Sequence, residues 1–261
     1  MSTALHFFKQ LYSRARRYLH AGETRRAIAV LRRLAAYPDA PTALVGHAHL
    51  AIGLAWFRRR CVRRARREFL QALQILGPSP RLHHLLGRTF HRDEPCNVDQ
   101  ASFHYQESLR LKPLQPRCLA DAGLLALSVG GTDIGLRLLR NAADLAPADI
   151  SVLRRVVRGY LLAGFPDEAN RVVRAALFLR PRCPQLRNLW AQLQIVRLRR
   201  EKELALLAAG RPDEPVLLPF IRVVSERTDH LDDNLRLDHA ETLPGPHLTR
   251  FRARRTRRRA P

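Results

Sequence analysis

The residues with the most chemical capacity in this chain are arginines, histidines and a few paired carboxylates. His84 and His91 lie seven residues apart with Arg88 between them. On a helix that spacing is about two turns, so both rings cannot hold one metal without a further ligand. His47 and His49 point to different helix faces. His91 and Cys96 could meet at a turn, but no second pair completes a four-ligand site. Cys61, Cys96, Cys118 and Cys183 have no CxxC spacing, and few scattered cysteines read as reduced thiols of a cytoplasmic protein. The pairs Asp93/Glu94 and Asp167/Glu168 suit polar turns or helix starts, where negative charge complements the dipole. No GxSxG, phosphate-binding loop or HExxH accompanies them. The expectation is a chain with no catalytic residues, no metal and no cofactor.

The charge is what departs from ordinary globular composition. Of the 261 residues, 46 are Lys or Arg and 23 are Asp or Glu, a formal net charge of +23. Only Lys9, Lys112 and Lys202 are lysines; the other basic residues are arginines. Arginine offers a planar fork of donors that pairs with phosphate or carboxylate. The abundance of Ala, Leu, Arg and Pro also fits the codon bias of a GC-rich genome, so two readings of the charge stand: functional and compositional. No apolar run approaches 18 residues, so no membrane-spanning helix is expected. Residues 1–10 lack the basic start and apolar stretch of a secretory leader.

The elements that would position these side chains follow from an internal repeat. A small residue is followed by another 12 later, a third 7 later and a helix stop 5 later. Gly123, Gly135, Ala142 and Pro147 fit this pattern, and so do Val157, Ala169, Ala176 and Pro181, shifted by 34 residues. Gly53, Ala65, Ala72 and Gly77 fit again. Gly87, Ala101, Ser108 and Pro113 fit with two residues inserted, and the turn-forming Asp93, Glu94, Pro95 and Asn97 mark the insertion. Ala15, Ala27, Leu34 and Asp39 form a weaker first copy. Within a unit, Leu119, Ala122, Leu125 and Ala126 recur at helical spacing, Gly130-Gly131 breaks the helix, and Ile134, Leu138, Leu139 and Ala142 resume it. The small residues let paired helices approach closely, and Pro113, Pro147 and Pro181 end the second helix.

This 34-residue helix–turn–helix unit resembles the tetratricopeptide repeat, over about residues 8–183 and five units; the spacing favours it over related helical repeats of other lengths. The fold class implied is all-α, a helix–turn–helix repeat superhelix or alpha-solenoid. The expected organisation is 1–183 as five repeats, 184–209 as a C-terminal capping helix, and 210–261 as a mostly irregular tail with a basic end. Leu189, Trp190, Leu193 and Val196 would give the cap an apolar face, and 216–221 could dock back on the array. Residues 250–259 hold seven arginines.

In the family, the first helices line a concave groove that binds another protein. The resemblance carries groove-facing positions onto this chain; seven are Lys or Arg and three are His (His47, His84 and His91), and the expected partner contacts are Lys9, Arg16, Arg81, His84, Arg88, His91, Arg117, Arg154 and Arg158. None of the groove positions is acidic. The functional expectation is a scaffold or adaptor, not an enzyme, presenting a basic groove to an acidic peptide or protein partner. The lysine–asparagine clamp of some family members is not carried over, because no groove position holds asparagine. The alternatives are a basic nucleic-acid- or ribosome-associated protein, with Arg58–Arg67 and the tail as phosphate contacts, or a non-catalytic subunit of a larger complex.

Overall fold

The computed structural model describes residues 2–208. Among the described residues the chain forms eleven helices and no strand. Five antiparallel pairs come first: α1 (Ser2–His20) with α2 (Thr24–Ala35), α3 (Thr42–Arg58) with α4 (Val62–Leu76), α5 (Pro80–His91) with α6 (Val98–Leu111), α7 (Pro116–Ser128) with α8 (Thr132–Leu145), and α9 (Ile150–Leu162) with α10 (Pro166–Leu179). A long α11 (Pro184–Ala208) follows. The tail expected over 210–261, with its apolar 216–221 and its basic end, lies outside the described residues.

The ends of these helices follow from local chemistry. Pro80, Pro116, Pro166 and Pro184 open α5, α7, α10 and α11, where a missing N–H costs nothing. Ser79 Oγ accepts from the Leu82 N–H at 3.2 Å, Asn97 Oδ1 from Gln100 at 3.1 Å, and Asp149 Oδ1 from Ser151 at 2.8 Å. Pro113, Pro147 and Pro181 stand two residues past the ends of α6, α8 and α10.

Odd- and even-numbered helices have different environments. In α3 ten residues are buried, from Leu44 to Phe57, on all sides of the helix. In α4 only Ala65, Phe69 and Ala72 are buried, a single stripe. Besides their own partners, odd-numbered helices pack on one another: α1 on α3, α5 on α7, α7 on α9. The array therefore curves with α1, α3, α5, α7 and α9 as its inner, concave layer.

Within each pair the small residue of the first helix meets a large one of the second. A Cβ on Gly53 would sit 2.5 Å from the Phe69 ring, and one on Gly87 2.6 Å from the Tyr105 ring. A Cβ on Gly123 would sit 3.0 Å from both the Gly135 carbonyl oxygen and Leu139. The equivalent buried pairs are Ala15 with Leu31 in the first unit and Val157 with Val173 in the fifth. In units one, two, three and five, as the first residue grows from Gly through Ala to Val its partner shrinks from Phe or Tyr to Leu to Val, so the pair trades volume. The fourth unit departs from this: Gly123 faces the smaller Leu139, and the Gly135 backbone comes close beside it.

The turns between paired helices are also built to one plan. Gly22, Gly130 and Gly164 take the left-handed conformation there, with φ of 76°, 82° and 84°. In the second unit the same place is held by Arg60, at φ 58°. A side chain in that region costs about 1–2 kcal/mol. The third unit instead carries the inserted turn over Asp93–Asn97.

Helix α11 packs on α10 and α9 through Leu186, Leu189 and Leu193, and Val196 is buried as well. Its other face keeps Trp190, Ile195, Leu198 and Leu204 exposed. The exposed surface of α11 thus mixes these apolar residues with Gln185, Arg187, Asn188, Arg199, Glu201 and Lys202, where a terminal cap normally ends in a polar face.

Gly123→Leu should destabilise the protein by about 1–3 kcal/mol, because the carbonyl of Gly135 cannot rotate away as a side chain would. Urea denaturation followed by helical circular dichroism checks this. An unchanged midpoint would place Gly123 away from a helix contact.

Candidate functional site

The inner layer holds very little acid. Helices α1, α3, α5, α7 and α9 contain one carboxylate, Asp121. Asp121 is 7% exposed, and both its oxygens are in use. Its Oδ1 accepts from Arg155 Nε at 2.7 Å. Its Oδ2 accepts from His84 Nε2 at 2.8 Å and lies 3.5 Å from Arg88 Nε. Arg155 also donates to the Ser151 carbonyl at 2.6 Å. One carboxylate thus ties α5, α7 and α9 together through buried Arg88 and Arg155 and a mostly buried His84. Burial alone would raise the Asp121 pKa, but Arg155, His84 and Arg88 outweigh it and hold the carboxyl well below its usual range. An ionised Asp121 only accepts, so His84 carries its proton on Nε2. Burial pushes the His84 pKa down and Asp121 offsets part of that.

The sequence expectation for the groove therefore needs one correction. Arg88 is 4% exposed, turned onto Asp121 and laid over the Phe57 ring with Cζ 4.8 Å from the centroid. It does not line an open groove, and His84 is largely spent on the same carboxylate. The repeat position one after the small residue faces α7 here because an acid waits for it there. Sequence reasoning also missed Asp121 and Arg155. A signal for both exists: they stand 34 residues apart, at the same repeat position with opposite charge.

The remaining expected residues sit as follows. Arg117 pairs with Asp149, the cap of α9, at 3.1 Å. Arg81 and Arg16 both lie near Tyr12, whose phenol pKa is raised by burial against their pull. Lys9 is exposed at the first-unit end. His91 bonds the Tyr105 hydroxyl at 3.2 Å, and its pKa is lowered first by burial and further by Arg158, Arg92 and Arg88. Arg158 Nε is buried and finds no hydrogen-bond partner, and Arg154 has no carboxylate partner among the described residues. Arg154, Arg158, His91 and the Asp121 network are thus gathered on α5, α7 and α9, whereas Lys9 and Arg16 stand at the far end of the array.

A second histidine pair lies beneath this face. His83 and His104 are both buried, with their Nδ1 atoms 3.1 Å apart, so one must donate to the other. Burial, His83 and Arg66 push the His104 pKa down to about 4. Among the described residues no three His, Cys, Asp or Glu side chains come together as a metal site. No helix among them is long and apolar enough to cross a membrane.

Solved structures share this architecture. A thermophilic repeat protein of Thermus thermophilus superposes with a TM-score of 0.58 at 17% identity, covering 72% of this chain and 99% of its own. The chain has the tetratricopeptide-repeat fold. A tetratricopeptide-repeat protein of Parabacteroides merdae matches with a TM-score of 0.57 at 16% identity, covering 86% of this chain and 90% of its own. The Cut9–Hcn1 hetero-tetramer of the APC/C matches at a TM-score of 0.54 and 18% identity, over 74% of this chain and 39% of that one. No family model and no curated protein matches the sequence.

Two outcomes are expected of this tetratricopeptide-repeat array. Asp121→Ala strands buried cations and should cost about 3–5 kcal/mol, measured by chemical denaturation. Acid should also destabilise the third unit. His83, His84, His91 and His104 all have pKa values lowered in the folded state, chiefly by burial. The unfolded chain therefore binds more protons, and the stability is fully present above about pH 6.5. It is lost as the pH falls toward the folded values, about 4 for His104. The melting temperature should fall from pH 7 to pH 4.5, and less steeply in His104→Gln. A flat profile would place these rings in water.

Proposed function

We propose that the chain is a non-catalytic scaffold whose concave face binds an acidic segment of a protein partner. The observation that carries this reading is the segregation of acid between the two layers. In units three to five the inner helices carry Arg81, Arg88, Arg117, Arg154, Arg155 and Arg158 against Asp121 alone. The outer helices α6, α8 and α10 carry Asp99, Glu107, Asp133, Asp144, Asp167 and Glu168 against five arginines. Compositional bias would load both layers with arginine, and it does. It supplies no reason for acid to be absent from one layer. With Asp121 already ion-paired, Arg154 and Arg158 remain to meet an incoming carboxylate, supported by Arg81 and by Arg16 and Lys9 further along. The fold supports the same reading, since a curved inner layer offers a long preformed surface. Cut9, which shares the fold, is found with Hcn1 in a hetero-tetramer.

A nuclease-treated pull-down at physiological salt would identify the partner, and a fluorescent glutamate-rich peptide reports on the groove directly. Arg154→Glu with Arg158→Glu should weaken peptide binding tenfold or more, roughly the loss of one or two charge-assisted contacts. Arg171→Glu with Arg174→Glu, on the outer face, should change it little. Equal, small losses from both pairs would return the charge to composition.

A further inference from the structure

A second concentration of cations lies away from the inner layer, at the edge where the turns of units two and three meet. A cavity of about 810 Å³ opens there, lined by Arg60, Arg63, Arg64 and Arg92 with Asp93 and Glu94. Four guanidinium groups thus face two carboxylates, and Asp93 is already ion-paired with Arg66. Among the described residues, no carboxylate pairs with Arg60, Arg63 or Arg64.

Three features make this more than a solvated charge run. Two of the four cations are held in place. Arg64 lies over the Trp56 ring at 4.9 Å and Arg92 over the Phe57 ring at 4.5 Å. A guanidinium stacked by its face keeps its edge N–H groups for an acceptor. The backbone is also held against its preference, since Arg60 takes the left-handed conformation that the first, fourth and fifth units give to glycine. Glycine would make the same turn without strain, so an arginine here keeps a side chain where the fold alone wants none. Finally, the lengthened turn region of unit three closes the cavity, contributing His91, Arg92, Asp93 and Glu94 to its lining.

We propose that this cavity is a binding site for a compact, multiply charged phosphate chain, a di- or triphosphate. One carboxylate would leave most of the lining charge unmatched, whereas successive phosphates present several acceptor faces within a few ångströms, each suited to an arginine fork. The site reads phosphate and not a base. Trp56 carries Arg59 and Arg64 and Phe57 carries Arg88 and Arg92, so these two rings are already engaged by cations and are not offered to a base. The proposal does not rest on the groove reading, since only His91 borders both regions.

Isothermal titration of the full chain with inorganic tripolyphosphate, ATP and sulfate, at neutral pH and physiological salt, tests this. Tripolyphosphate and ATP should bind saturably with similar affinity, and sulfate far more weakly. Arg60→Gly with Arg63→Gln should weaken tripolyphosphate about tenfold or more. Arg60→Gly alone should weaken binding while raising the melting temperature, a pairing of effects that a merely structural arginine would not produce. Arg154→Glu with Arg158→Glu should leave the titration unchanged. Wild-type affinity in the Arg60/Arg63 variant, tripolyphosphate no tighter than sulfate, or binding of ATP without tripolyphosphate would each overturn the proposal.

Discussion

Everything in this array depends on one steric contact repeated five times: the first helix of each unit lies so close to the second that the two facing side chains share a single slot. Where the first helix has glycine, the second can bury a phenylalanine or tyrosine flat against its backbone, as Gly53 does with Phe69 and Gly87 with Tyr105. Where it has valine, the partner is valine. Interiors are packed at crystal-like density, so neither residue can change volume without the other. That contact sets the distance between layers, and the distance places every odd-numbered helix inside and every even-numbered one outside.

Placing a helix inside a curved stack makes its charges expensive, and Asp121 is the place where this is resolved. The inner layer has one carboxylate and surrounds it with His84, Arg88 and Arg155 from the helices on either side. A buried carboxylate survives only when its lone pairs are met, and here they are. The consequence reaches the surface. Cations tied to Asp121 are structural, whereas Arg154 and Arg158 have no carboxylate partner among the described residues. The same buried environment keeps four histidines of the third unit neutral, so packing, stability against acid and the charge of the face are linked.

Units two and three depart from the plan in complementary ways. One puts Arg60 where glycine belongs, and the other lengthens its turn by two residues. Together they turn a regular edge into a cavity lined by arginines of both units and two carboxylates of the third. A repeat scaffold tolerates this because each unit contacts only its neighbours, so an irregular edge is not transmitted along the stack.

The sequence by itself determined the helical repeat, its register and the helix ends. Small residues at 34-residue intervals and prolines two places past a helix are local steric facts, legible without a structure. It also showed that the first helices of units three to five carry arginine far more often than acid. What the tertiary structure alone decided is which of those charges are spent. Arg88 and Arg154 look equivalent along the chain, each at an expected groove position, yet one is buried against a carboxylate on the next helix and the other is not. Arg155 and Asp121 reveal themselves only when two units are laid side by side. Arg60 looks like one member of an arginine run until its backbone angle is known. For Arg60 the deciding fact is its own backbone angle; for the others the reason is shared. Periodicity reports which face a residue occupies, but the cost of a charge depends on what lies opposite, and that is set by helices tens of residues away.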